Sequence, residues 1–135
     1  MRSFLDTNVL LYTDDHDAPA KQAKALALFA QVRTDKIGVI STQVLQEYFT
    51  AATRKFGVPA TIARRKVELF AHLDLVVLDL SDILGAIDLH RLHQFSLWDA
   101  LIVRAALQAK CAMLYTEDLQ HSQRVEGLEI VNPFV

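Results

Sequence analysis

Cysteine is almost missing from this chain: Cys111 stands alone, so no internal disulfide can form. That suits a reducing compartment. Basic excess is missing too. Fourteen Lys and Arg against sixteen Asp and Glu leave a net charge of −2. This argues against a simple basic nucleic-acid binder, whose affinity rests on neutralising phosphates. It still allows a bound cation to meet a phosphate. The four glycines, Gly38, Gly57, Gly85 and Gly127, are too scattered for G-x-G-x-x-G, which excludes a dinucleotide fingerprint. His90 and His93 share a helix face, yet no third histidine or cysteine has matching spacing nearby, so a zinc reading is poor and solvated or helix-packing histidines are favoured. No apolar run approaches the length that spans a bilayer. Asp6 interrupts any apolar stretch of signal-peptide type. The expectation is a soluble, cytoplasmic protein.

What is present is apolar and regularly patterned. Hydrophobic residues make up 52% of the 135 positions, too many for a disordered chain. A chain of this length fits one domain, residues 1–135, and buries roughly two-thirds of its unfolded surface. No linker, repeat or low-complexity tract divides it. Short β-branched or apolar runs at 3–5, 37–40, 75–78, 112–115 and 128–131 predict five strands. Helical patterns fill 18–34, about 42–55, 60–72, 81–94 and 97–110, with Ser41 or Thr42 as a cap and Gly57 and Pro59 as punctuation. The strands are apolar throughout rather than alternating, which marks strands covered on both faces. The expected architecture is a three-layer α/β/α sandwich around a mostly parallel five-stranded sheet. Ligands in such sheets bind beyond the carboxyl ends of the strands.

Four acids sit near those ends. Asp6 directly follows the first strand and Asp118 lies just past the fourth; each alone could be a helix cap. Asp99 lies in the first turn of a helix apolar on most faces, where a carboxylate is costly unless paired or metal-bound. Ser96 and Asp99 also have the S-x-x-D spacing of a capping box, which accounts for an acid but not for its apolar surroundings. Glu47 borders the stripe of Val44, Leu45, Tyr48, Phe49 and Ala52, and taken singly reads as a solvated glutamate. Taken together, four carboxylates at one sheet edge would repel one another, and a divalent cation relieves that repulsion. Mg²⁺ and Mn²⁺ prefer such oxygen ligands and can activate water against a phosphodiester.

The pieces that carry the acids resemble a known family. Phe4-Leu5-Asp6-Thr7-Asn8, Ile40-Ser41-Thr42-Gln43-Val44-Leu45-Gln46-Glu47, Leu97-Trp98-Asp99-Ala100-Leu101-Ile102 and Leu114-Tyr115-Thr116-Glu117-Asp118-Leu119 occur in the order of a PIN-domain nuclease, specifically a VapC-type toxin. Any one piece is weak; four in order across nearly the whole chain are specific. The resemblance implies a Mg²⁺- or Mn²⁺-dependent endoribonuclease with Asp6, Glu47, Asp99 and Asp118 as catalytic and metal-holding residues. It suggests Asn8 and Thr116 as groups that orient them; Glu117 is an extra acid given no direct role, because adjacent residues usually point in different directions. It further implies an RNA substrate, a cognate antitoxin and a homodimer.

Other readings weigh less. Asp6-Thr7-Asn8-Val9-Leu10 superficially matches the D-x-D-x-T loop of haloacid-dehalogenase phosphatases, but Asn8 stands where that chemistry needs its general acid. A receiver-like signalling module needs no acids at Glu47 and Asp99. Arg54, Lys55, Arg64, Arg65 and Lys66 form the densest basic region, as ready to hold an RNA backbone as to be a solvated helix surface. Tyr12, Tyr48 and Trp98 could stack on bases, although Tyr48 and Trp98 are expected in the core.

Overall fold

The computed structural model describes residues 1–135. The chain runs β1 (Ser3–Leu5), α1 (Thr7–Tyr12), α2 (Pro19–Thr34), β2 (Gly38–Ser41), α3 (Thr42–Lys55), α4 (Ala60–Phe70), β3 (Asp74–Val76), α5 (Leu80–His93), α6 (Leu97–Gln108), β4 (Met113–Tyr115), β5 (Arg124–Val125) and β6 (Leu128–Val131). The strands form one sheet in the order β3-β2-β1-β4-β6-β5. All neighbours are parallel except β5 and β6. β1 lies at the centre, with Phe4 registered against Val39 on one side and Leu114 on the other.

The order of the sheet locates the site. From β1 the chain steps outward to β2 and β3, then crosses back to place β4 on the other side of β1. Right-handed crossovers put the helices of these two directions on opposite faces. Accordingly α3 packs with α1 and α4, and α5 packs with α6. β1 and β4 therefore flank the point where the winding reverses, and a crevice opens beyond their carboxyl ends. Asp6 and Thr116 are the first residues past those two ends.

The sheet has six strands rather than the expected five. The extra strand, β5, forms a hairpin with β6 through Glu126 and Gly127, both with positive φ (50° and 88°). That pair of angles is the signature of a tight primed turn, whose twist suits a hairpin. A two-residue strand has too little pattern to be read from sequence. α1 was likewise unread: six residues make roughly a turn and a half. It holds because Val9 and Leu10 are fully buried. β3 begins at Asp74 rather than 75 and is an edge strand, with Leu75 41% exposed. The expectation that every strand is covered on both faces therefore fails at this edge.

Candidate metal centre

The local chain geometry explains how each acid is presented. Asp6 leaves β1 in extended conformation, and its Oδ1 accepts from the Thr7 backbone N–H at 2.7 Å, the first free N–H of α1. Asp99 lies in the first turn of α6, where its own N–H donates to the Ser96 hydroxyl at 3.1 Å. α6 leads into β4, so its N-terminus lies at the carboxyl edge of the sheet. Glu47 projects from α3, which starts at the end of β2 with Ser41 as its cap. Asp118 lies two residues beyond Thr116, in the turn after β4.

The structure brings Asp6, Asp99 and Asp118 together: one carboxylate oxygen from each lies within 4.8 Å of the others. Glu47 stands outside that trio but lines the same cleft, of about 420 Å³. The three acids differ in burial: Asp6 is 4% exposed, Asp99 is half-buried and Asp118 is exposed. The cleft thus has a dry floor and a wet mouth.

A polar network fixes these carboxylates. The Thr116 hydroxyl, fully buried, donates to Asp6 Oδ2 at 2.8 Å and accepts from the Asp118 N–H at 3.1 Å. Asn8 Nδ2 donates to Asp118 Oδ2 at 3.1 Å and to the Thr116 hydroxyl at 3.2 Å. Asn8 Oδ1 accepts from the Glu117 N–H at 3.3 Å. Thr7 escaped the sequence reading: its hydroxyl donates to Glu47 Oε1 at 2.8 Å. Its position immediately after Asp6 was the available signal. Glu117 lines the cleft, but its carboxylate is held by Tyr12 at 2.6 Å and Lys21 at 2.7 Å. These bonds outweigh its partial burial and keep it ionised below the usual glutamate range.

Electrostatics set the cleft apart. Burial pushes the Asp6 carboxyl up to about 7; the bonds from Thr116 and Thr7 restrain that rise, while the charges of Asp118 and Glu47 add to it. Burial also raises Asp99, opposed by its bond with Ser96 and reinforced by Asp118. A buried carboxylate short of positive charge, facing two more, is the condition that a divalent cation relieves. The donor set is all oxygen, which suits Mg²⁺ or Mn²⁺ rather than a soft metal.

The remaining candidates fall elsewhere. His90 Nδ1 pairs with the Phe95 carbonyl and His93 stacks on the Phe95 ring, so both pack the end of α5. Lys66 bonds Asp14 and Arg64 pairs with Glu68, whereas Lys55 lines the cleft. Tyr48 is fully buried, as expected. Trp98 is not in the core: it is 64% exposed and sits on the wall of the cleft. The stripe that placed it inside belongs to Ile102, Val103 and Ala106 further along α6, which are buried.

Comparison with curated protein sequences finds no match. Among solved structures, the fold is similar to Mycobacterium tuberculosis VapC20, described as a Sarcin-Ricin loop cleaving toxin. The identity is 19% and the TM-score 0.70, over 86% of this chain and 91% of that one. It is similar to a toxin–antitoxin complex from Klebsiella pneumoniae at 19% identity and TM-score 0.68, over 97% of both chains. It is similar to VapBC2 from Rickettsia felis, solved with a DNA fragment of its promoter, at 17% identity and TM-score 0.66, over 96% of this chain and 97% of that one. At these identities the likeness is one of fold. The profile of the PIN domain family matches residues 3–127, a span that contains all four acids and the strands that present them; the chain belongs to the PIN domain family.

Proposed function

We propose that this protein is a Mg²⁺- or Mn²⁺-dependent endoribonuclease that acts in the cytoplasm as the toxin of a toxin–antitoxin pair. One observation carries the reading: three carboxylates meet within 4.8 Å at the topological switch point of a PIN domain. Asp6, Asp99 and Asp118 hold the cation, with Glu47 at the side of the cleft as a further acid for the metal or its water. When bound, the cation neutralises charge on the phosphodiester and activates the attacking water. The chain's own groups prepare that encounter. Thr116 and Thr7 fix both oxygens of Asp6, so the carboxylate loses no orientation on binding. Asn8 fixes Asp118, and Thr7 fixes Glu47. Asn8 carries an amide that cannot act as a general acid, and it is engaged in holding Asp118 and Thr116, which disfavours the phosphatase reading.

Partners follow from the same reading. The Klebsiella and Rickettsia relatives were solved as toxin–antitoxin complexes, which supports a cognate antitoxin here. α5 supports a homodimer. Asp82, Ala86 and Leu89 face inward and are buried, yet the opposite face carries Leu80, Ile83, Leu84 and Ile87, exposed at i, i+3, i+4 and i+7. A second copy would cover that face. No helix is long and apolar enough to cross a membrane.

The test is cleavage of RNA by purified protein with and without Mg²⁺ or Mn²⁺. Cleavage should require the metal and fall at least a hundredfold in Asp6→Asn and Asp99→Asn protein, as loss of a metal ligand demands on the order of several kcal/mol. Undiminished cleavage by both folded variants would sink the assignment.

A further inference from the structure

Trp98 is out of place for a residue of the first helical turn beside a metal-holding acid. It is the only tryptophan, it is 64% exposed, and it immediately precedes Asp99. An exposed indole forfeits burial free energy, and tryptophan is a side chain enriched where a surface binds a partner. Its backbone is nevertheless anchored, because Gln43 Nε2 of α3 donates to the Trp98 carbonyl at 3.2 Å. The ring therefore stands on a held segment at the wall of the cleft. The same cleft is also lined by Phe56, 36% exposed, and by Lys55, at the end of α3. A second hollow continues along α3 from Glu47 and Ala51 to Arg54 and Lys55, and it shares Glu47, Ala51 and Lys55 with the first. Arg54 and Lys55 are exposed and have no acidic partner, unlike Arg64 and Lys66 of α4.

We infer that Trp98 is a substrate-binding residue that stacks on the base of an unpaired nucleotide next to the scissile phosphate, while Lys55 and Arg54 meet the flanking phosphates. The inference deepens the ribonuclease reading and rests on it. It follows from the charge balance. A divalent cation at the carboxylates would meet the scissile phosphate alone, and in a chain of net charge −2 two free cations neutralise few of the flanking phosphates. Stacking on an aromatic face is neutral and sequence-tolerant, and supplies the missing affinity. A base inside a duplex has both faces covered by its neighbours, so only an unpaired nucleotide can lie on the indole.

The single tryptophan makes the test direct, because intrinsic indole fluorescence reports position 98 alone. Wild-type protein in EDTA is titrated with a short single-stranded oligoribonucleotide of mixed sequence, and in parallel with the same strand annealed to its complement. Saturable quenching by the single strand and none by the duplex is expected. With Mg²⁺ or Mn²⁺ restored, Trp98→Leu should lower kcat/KM about 5- to 150-fold, chiefly through KM, as loss of one base–aromatic stack implies. Trp98→Phe should recover most of it, and circular dichroism confirms that both variants fold. Cleavage by wild type without quenching, equal quenching by the duplex, or wild-type kcat/KM in Trp98→Leu protein overturns the stacking role. Fluorescence that responds to the co-expressed antitoxin and not to RNA also overturns it, by assigning the ring to a protein partner. Quenching by the single strand with no cleavage under any metal supports the stacking role and overturns the ribonuclease reading instead.

Discussion

The Thr116 hydroxyl donates to Asp6 Oδ2 at 2.8 Å, and its oxygen accepts from the Asp118 N–H and from Asn8 Nδ2. One buried side chain thereby ties the carboxyl ends of β1 and β4 together and sets the angle of the most buried acid. Thr116→Val keeps the shape and removes the donor. Metal affinity or turnover should fall about 10- to 100-fold, the usual cost of losing a group that orients a metal-holding carboxylate. Leaving buried partners without their hydroxyl should cost about 1–3 kcal/mol of stability. Calorimetric metal titration and thermal unfolding measure the two effects, and Thr116→Ser should restore both.

Asp6 makes stability depend on pH in an unusual direction. Its folded carboxyl titrates at about 7 and its unfolded one near 3.8. Between those values the folded chain holds more protons than the unfolded chain. This group's contribution is therefore full below about pH 4, declines as pH rises, and is gone above about pH 7. Asp6→Asn removes the decline. Without metal, the variant should gain on wild type by a few kcal/mol between pH 4 and pH 8, at about 1.4 kcal/mol per unit at most. Unfolding midpoints in EDTA across that range check it; parallel profiles for the two proteins would contradict it.

The same proton competes with the cation. If Asp6 holds the cation as proposed, its carboxylate form is the one that binds, and apparent affinity should rise by up to about tenfold per pH unit below 7 and level off above it. Titrations of Mg²⁺ or Mn²⁺ between pH 5.5 and 8.5 measure the slope. Asp6→Glu should retain the slope near pH 7, and Asp6→Asn should flatten it there, leaving only the dependence from Asp99 at lower pH.

Asp82 locks α5 to α6. It is 4% exposed, caps α5 reciprocally with Asp79, and accepts from Arg104 Nε at 3.1 Å. Burial works against its charge, but the bonds from the Asp79 N–H and Arg104 prevail and hold it below the usual aspartate range. That stability is present above the ordinary carboxylate range and is lost as pH falls through it. Gly85 makes room for the guanidinium, since a Cβ there would lie 3.0 Å from Arg104 Cζ. Arg104→Met should cost about 1–3 kcal/mol by stranding the Asp82 carboxylate. Chemical denaturation measures it, and Asp82→Asn in the Arg104→Met background should recover part of the loss.

The outward face of α5 should be where two copies meet. Ile83→Glu places a carboxylate in the middle of Leu80, Leu84 and Ile87, all exposed in the single chain. Sedimentation should find wild type as a dimer and the variant as a folded monomer. Equal sedimentation of the two proteins would remove α5 from the interface.

Much of this protein was legible in its residues. β1, β2, β4 and β6 were readable because short runs such as 37–40 are apolar throughout, and that pattern belongs to strands covered on both faces. α3 was readable from its stripe and its Ser41 cap. α1 and β5 were not, because six residues and two are too few to show a period, and β3 was read one residue late because it opens on the charged, exposed Asp74. α5 was readable as a helix to within a residue at each end, but not which of its apolar faces is buried, because one packs toward the core and the other meets solvent.

The sequence by itself determined which residue types could do metal chemistry and that the chain would build a parallel sheet to present them. Only the tertiary structure decided that Asp6, Asp99 and Asp118 meet while Glu47 stands beside them, and that Asp6 rather than Asp99 is the buried one. It also decided that Thr7 holds Glu47 and that Trp98 faces water. The physical reason is that spacing along a chain sets which residues share a strand end or a helix face. Distance between separate elements, and the dielectric around each carboxylate, arise only when sheet order and crossover direction pack those elements together.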